Sequence, residues 1–291
     1  MELPLVVGVD GSDPSLTAVD WAVGEAARFG LPLRLVYASL WERYEGAMPS
    51  GTEGRPSEQV MAERVVAFAA ERAQRRDPGV KVSTEVLPQD AVTALLGEAA
   101  NASALITGSR GRGQLKGLLL GSVGLAVAAR AHCPVVVVRG DRAGLAGTHE
   151  RILLAAGDAD TGHEAVRFAF REAEVRGCVL DVVRAWRRPV HEGVGNPVLA
   201  DEPARRQEEH AAAVLEELLR EPEVEHPAVR VRPATVEGPA HRVLVDRSAA
   251  ADLVIVGVRR REGHFGLQLG RTAHTLLHHA HCPVAVVPQR V

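Results

Sequence analysis

The chain repeats itself, and this constrains its fold more than any other feature. Ala131-His132-Cys133-Pro134-Val135 recurs as Ala280-His281-Cys282-Pro283-Val284, a shift of 149 positions. Leu105-Ile106-Thr107-Gly108 meets Val254-Ile255-Val256-Gly257 at that same shift. Near the start of each half, Ala18-Val19 and Trp21-Ala22 correspond to Ala165-Val166 and Phe168-Ala169 at a shift of 147. A near-constant offset across 291 residues means a duplicated domain. The period is too long for a solenoid unit, which recurs about every 20 to 50 residues. Each copy, at about 145 residues, can bury a full core without disulfide or metal support. The seam, Gly140 to Glu150 (GDRAGLAGTHE), is Gly-rich and polar and reads as a linker. The expected domains are residues 1–141 and 150–291.

Within each copy, short apolar runs alternate with helical patterns. In the first copy, strands are expected at Leu5–Val9, Leu33–Ala38, Val80–Val86, Ala104–Gly108 and Val135–Val138. Helices are expected at Thr17–Phe29, with Ala18, Trp21, Ala22 and Ala26 on one face, and at Ser57–Arg76, with Val60, Val65, Phe68 and Ala69 inward. Two more are expected at Ala91–Ala100 and Ser122–Ala131. The second copy repeats the strands at Ile152–Ala156, Val179–Ala185, Val229–Thr235, Leu253–Gly257 and Val284–Val287. The first, fourth and fifth strands are continuously apolar, as strands buried on both faces are. The fold class that follows is α/β: two tandem doubly wound, Rossmann-like domains, each a five-stranded parallel sheet with helices on both faces. Such sheets bind ligands at the carboxyl ends of their strands, where the strand order reverses. That rule puts Asp10-Gly11-Ser12, the end of the second strand at Ala38, and the segment after Gly108 on one rim.

Composition removes several function classes. A formal net charge of −3 gives no drive toward nucleic acid or an anionic membrane. No apolar run approaches the ~20 residues needed to span a bilayer. The opening MELPLVVGVDG has no Lys or Arg before its short apolar run, so no signal peptide is expected. Three cysteines, Cys133, Cys178 and Cys282, without a C-x-x-C pair, argue against a disulfide framework or a zinc site. A cytoplasmic location is the simplest expectation.

After the fourth strand comes Gly108-Ser109-Arg110-Gly111-Arg112-Gly113-Gln114-Leu115-Lys116-Gly117-Leu118-Leu119-Leu120-Gly121-Ser122, and then an Ala/Val-rich helix. Glycines let a backbone approach an anion closely. Ser122 is the expected N-cap, and the positive end of the helix suits a phosphate. Arg110, Arg112 and Lys116 add positive charge. The alternative is a basic surface loop, Gly-rich because it connects two elements. The segment is neither G-x-x-x-x-G-K-[S/T] nor a dinucleotide G-x-G-x-x-G after the first strand.

The spacing Gly108-x2-Gly111-x9-Gly121-Ser122 resembles the ATP-binding loop of the universal stress protein family. The likeness extends to the opening Val7-Gly8-Val9-Asp10-Gly11-Ser12-x2-Ser15 and to Cys133-Pro134-Val135-Val136-Val137. The whole chain is similar to a tandem universal stress protein. The resemblance implies that Gly8, Asp10, Gly11 and Ser12 lie beside the nucleotide, with Asp10 toward the adenosine. It implies that main-chain groups near Ala38 meet the adenine. Gly108, Ser109, Arg110, Gly111, Arg112 and Gly113 would wrap the phosphates, and Gly121, Ser122 and Val123 would close on them. ATP is the implied ligand; a Mg²⁺ ion would accompany the phosphates, although no carboxylate cluster specifies one. One departure is Gln89, where the second copy has Gly238. The resemblance also implies that Val135–Val138, an edge strand in an isolated domain, pairs with Val284–Val287 in an internal pseudo-dimer, with two chains able to form a homodimer.

The second copy departs from the motif. Gly257 answers Gly108 and Gly270 answers Gly121, but Arg260 replaces Gly111, Arg271 replaces Ser122 and Gly157 replaces Asp10, with Asp158 adjacent. An empty or structural second site is expected; the alternative is a different anion held by Arg259, Arg260, Arg261 and Arg271. His274 and His278 share a helix face with the spacing of metal ligands but lack an evident third ligand except Cys282, which opens a buried strand, so solvated histidines are expected and no metal site. Cys133 and Cys282 read as packing residues. Trp41 and Trp186 open variable stretches, Glu42–Pro56 and Arg187–Pro203, expected to be loops over the rim, with Trp41 either a cover for the nucleotide or a local packing residue. Glu71–Arg76 and Glu208–Arg220 read as solvated helix faces. No catalytic residues are assigned. The expected function is a nucleotide-binding switch in the first domain, whose partner is an adenine nucleotide. Its rivals are a slow ATPase or ATP-dependent transferase, and a nucleotide-free scaffold.

Overall fold

The computed structural model describes residues 2–40, 57–111, 120–157, 163–188, 197–259 and 269–289. The chain forms two compact units, Met1–Arg139 and Gly140–Val291. The first runs β1 (Leu5–Gly8), α1 (Asp13–Phe29), β2 (Leu33–Ala38), α2 (Ser57–Arg76), β3 (Val82–Leu87), α3 (Ala91–Ala99), β4 (Ala104–Gly108), α4 (Ser122–Arg130), β5 (Val135–Val138). All its strand pairs are parallel, in the order β3-β2-β1-β4-β5. The order reverses between β1 and β4, where Val7 stands opposite Ile106. Helix α1 packs with α2, and α3 with α4, which covers the two faces of the sheet.

The second unit opens with a short helix, α5 (Arg142–Ala146). It continues β6 (Arg151–Ala155), α6 (His163–Arg176), β7 (Val179–Trp186), α7 (Pro197–Glu225), β8 (Arg230–Glu237), α8 (Ala240–Ser248), β9 (Leu253–Arg259), α9 (Arg271–His279), β10 (Val284–Gln289). Its parallel order is β8-β7-β6-β9-β10, the same winding again. The doubly wound class expected from the apolar runs is the one observed, because β1 and β4 are buried through their length: Val6, Val7, Leu105 and Ile106 are at 0% exposure.

Four local features differ from the sequence expectations. Helix α1 begins at Asp13, not Thr17: Ser12 is its N-cap, the Ser12 side chain accepts from the Ser15 N–H, and Pro14 sits in the first turn where it removes no helical donor. On α2 the inward stripe is Ala62, Val66, Ala69 and Ala73, while Phe68 is 48% exposed. Phe68 lies one residue off the stripe, and helical angle outweighs its side-chain hydrophobicity. Helix α7 begins at Pro197, so Pro197–Pro203 is helical rather than loop. The seam contains α5, whose N-cap Asp141 accepts from the Gly144 N–H at 2.9 Å.

In the second unit, fully buried Ser248 ties α8 to the turn before β10: its hydroxyl donates to the Val245 carbonyl at 2.6 Å and accepts from the His281 N–H at 2.9 Å. Ser248→Ala leaves that N–H unpaired and is expected to cost about 1–3 kcal/mol, read as a lowered midpoint in urea unfolding. Among the described residues, no helix is long and apolar enough to cross a membrane.

Candidate functional site

At the strand-order reversal of the first unit lies a cavity of about 440 Å³. It is within the range of small-molecule pockets, about 300–1,000 Å³. Of the expected residues, Gly8, Asp10, Ala38, Gly108, Arg110, Gly111, Gly121, Ser122 and Val123 line it together. Gly11, Ser12 and Ser109 are not part of this lining, and Arg112 and Gly113 fall outside the described residues, as do Trp41, Arg260, Arg261 and Asp158.

The strand β1 ends in a turn tied by its own side chains. The Asp10 Oδ1 accepts from the Ser12 N–H at 3.0 Å and from the Ser12 hydroxyl at 2.6 Å. The Ser15 hydroxyl donates to the Ser12 carbonyl at 2.9 Å. Gly11 adopts φ 78°, a left-handed conformation that favours glycine. The turn thereby fixes both the Asp10 carboxylate and the start of α1.

The loop closes on itself at its base. The Gly121 N–H donates to the Ser109 carbonyl at 2.8 Å, and the Ser109 N–H to the Val138 carbonyl at 3.1 Å. Gly108 presses on the first turn of α1: a Cβ there would lie 2.5 Å from the Pro14 carbonyl oxygen. A Cβ on Gly111 would lie 2.5 Å from the Asp10 Oδ2, so this carboxylate faces the glycine loop. A Cβ on Gly8 would lie 3.0 Å from Leu95 Cδ1, which makes Gly8 a close-packing position against α3.

Ser122 is not the cap of α4. The N-cap is Gly121, at φ −71° and ψ 149°, and it makes no side-chain hydrogen bond to the first turn. The cap falls on Gly121 because its N–H is drawn back to Ser109, which holds it extended while Ser122 enters the helix. A serine cap would supply its own acceptor to those amides. Gly121 supplies none, so the positive end of α4 opens on the cavity.

Sequence reasoning missed the walls. Ala91 and Leu95 from α3, Val36 from β2 and Leu120 give an apolar side, and Thr107 and Ser15 a polar one. The helix α3 is set by Asp90, whose side chain accepts from the Thr93 N–H at 3.0 Å. That capping pattern is visible in the sequence, but not which surface Leu95 covers. Gln89, the noted departure, is exposed and outside the lining.

The second unit differs at the equivalent places. The Arg184 guanidinium donates to the Gly157 carbonyl, at the position Asp10 holds in the first unit. Gly257 packs on Gln289: a Cβ there would lie 2.8 Å from its Nε2, while its Oε1 accepts from the Glu164 N–H at 3.2 Å. Gly270 caps α9 without a side-chain bond, and Arg271 follows it. Loss of solvent contact and then the positive charges of Arg271, Arg242 and Arg187 hold His241 below the usual imidazole range. The rings of His274 and His278 stack at 4.5 Å, and among the described residues no group of three His, Cys, Asp or Glu side chains is placed to hold a metal ion.

The universal stress protein family model matches residues 3–139 and again 148–288. Universal stress protein Rv2005c of Mycobacterium tuberculosis is 34% identical over 295 residues, covering 98% of this chain and 97% of the relative. Universal stress protein Rv2623 of the same organism is 31% identical over 294 residues, covering 98% and 96%. In fold, the chain is similar to the crystal structure of a universal stress protein from Archaeoglobus fulgidus, at a TM-score of 0.67 and 20% identity over 98% of both chains. Two tandem matches to the family model and relatives alike along their whole length have one meaning: the chain belongs to the universal stress protein family.

Proposed function

We propose that the first unit binds an adenine nucleotide, with ATP the favoured ligand, and that the protein works as a cytoplasmic nucleotide-dependent switch in a stress response. One observation carries this reading: an uncapped helix start, at Gly121 and Ser122, opens into a cavity walled by Gly108 and Gly111 at the sheet's strand-order reversal. Free amides and a positive helix end match phosphate oxygens, and Arg110 adds charge. The apolar wall of Val36, Ala38, Ala91 and Leu95 matches a flat base. Asp10 is the one carboxylate among the described lining residues. Mg²⁺ held largely by phosphates needs one or two carboxylates, so Asp10 is the residue to help hold it. The ion would supply positive charge where the phosphates meet that carboxylate.

The second unit takes no ATP in this reading. Arg184 reaches the rim at Gly157, the motif glycine becomes Arg260, and Arg271 replaces Ser122. The test is the nucleotide retained through purification, released by denaturation and identified by mass spectrometry. The expected result is adenine nucleotide at no more than about one per chain. A different base, or two equivalents per chain, contradicts the proposal.

A further inference from the structure

Thr107 stands in β4 immediately before Gly108, lines the cavity and is 5% exposed. Its hydroxyl is buried and, among the described residues, has no hydrogen-bond partner. The side chain faces the first turn of α4: a Cβ on Gly124 would lie 3.4 Å from Thr107 Oγ1. Gly124 is the third residue of that helix, in the turn to which the N-cap Gly121 gives no side-chain hydrogen bond. A buried hydroxyl without a partner costs stability, and such groups in native folds call for an explanation.

The repeat supplies a comparison within the same chain. The counterpart of Thr107 is Val256, 149 positions later and again next to a glycine, in β9. Valine has nearly the shape of threonine and carries no hydroxyl. The packing of this strand position therefore does not need the oxygen. The unit that keeps the glycine loop carries it, and the unit that has lost Gly111 and Ser122 equivalents does not.

We infer that the Thr107 hydroxyl is a ligand-contacting group of the first unit, donating to a phosphate oxygen held at the first turn of α4. The inference rests on the nucleotide reading above. A hydroxyl rotates to suit its acceptor, and a hydrogen bond to an anionic oxygen is roughly twice as strong as a neutral one. Binding breaks no hydrogen bond between this oxygen and the described residues, so the new one is formed without a compensating loss there. The residue thus favours ligands with a phosphate at this place over the bare nucleoside.

The test uses full-length protein stripped of nucleotide, as wild type, Thr107→Val and Thr107→Ser, titrated calorimetrically with ATP and with adenosine. Thr107→Val is expected to weaken ATP by about tenfold or more and to leave adenosine unchanged, while Thr107→Ser keeps ATP within about threefold. The melting temperature of unliganded Thr107→Val is expected to be no lower than that of wild type, because valine removes an unpartnered hydroxyl. Unchanged ATP affinity in Thr107→Val overturns the inference. Equal losses for ATP and adenosine overturn it too, since they place the hydroxyl at the nucleoside. A melting temperature lowered by several degrees does the same, since it means a protein partner. A wild type that takes up no ATP at all brings down the nucleotide reading itself, a result distinct from these.

Discussion

Gly111→Arg is expected to lose ATP binding by about two orders of magnitude or more, some 3 kcal/mol, while the protein stays folded. Gly111 does not occupy the left-handed region, so its backbone accepts an L side chain. The first atom added meets Asp10 Oδ2 at 2.5 Å, the end of a side chain rather than backbone, so the carboxylate shifts locally within its turn while the chain path is kept. The remaining atoms of the arginine must enter the cavity beside Gly121 and Ser122 or the solvent above it. The guanidinium also finds the Asp10 carboxylate, and this pairing holds it where phosphates belong. The second unit carries this residue naturally, as Arg260. Calorimetry with ATP and circular dichroism on the same sample separate loss of binding from loss of fold. Undiminished affinity would mean that the glycine loop does not seat the phosphates.

Gly108→Ala acts on stability instead. Its Cβ would lie 2.5 Å from the Pro14 carbonyl oxygen and 2.9 Å from the Ser15 nitrogen. Both are backbone atoms in the first turn of α1, so no rotamer change relieves the overlap. Either β4 or the start of α1 must move, and with it the Asp10-Ser12-Ser15 turn. Overpacking of this kind costs about 1–3 kcal/mol. A drop in melting temperature of roughly 3–10 °C is expected, together with weaker ATP binding. A variant that melts like wild type would show that the strand and helix are less tightly apposed than the structure has them.

How far the fold can be read from residues alone depends on which forces set each element. The central strands are legible because Val6, Val7, Leu105 and Ile106 have no solvent-facing side, and an unbroken apolar run reports this directly. The edge strand β3 (VSTEVL) is half exposed, and its expected start at Val80 is two residues early because polar positions blur the boundary. The start of α1 is obscured by reading Asp10-Gly11-Ser12 as a plain turn, when Ser12 is also a cap. Phe68 shows the limit of hydrophobicity as a guide, since its angle on α2 leaves it half in water.

The floor of the candidate site is legible because glycines mark close backbone approaches: Gly108 against Pro14, Gly111 against Asp10. Its apolar wall is not. Leu95 and Leu120 look like ordinary helix and loop leucines, and only the packing of α3 over β1 and β4, with α4 beside it over β5, turns them toward one space. Ser122 and Gly121 differ for a similar reason. Serine is the better cap by preference, but the Gly121 N–H is held by Ser109, a contact across the loop that no local pattern encodes. Thr107 is hidden among apolar neighbours in β4, and that its hydroxyl lacks a partner among the described residues emerges only once those residues are placed around it.

The most direct test is a titration of nucleotide-free, full-length protein with ATP, with the number of sites read from the calorimetric curve. Saturable binding at one ATP per chain, lost in Gly111→Arg, is the expected result. No heat at all, or two equal sites per chain, would contradict a single phosphate seat at the start of α4.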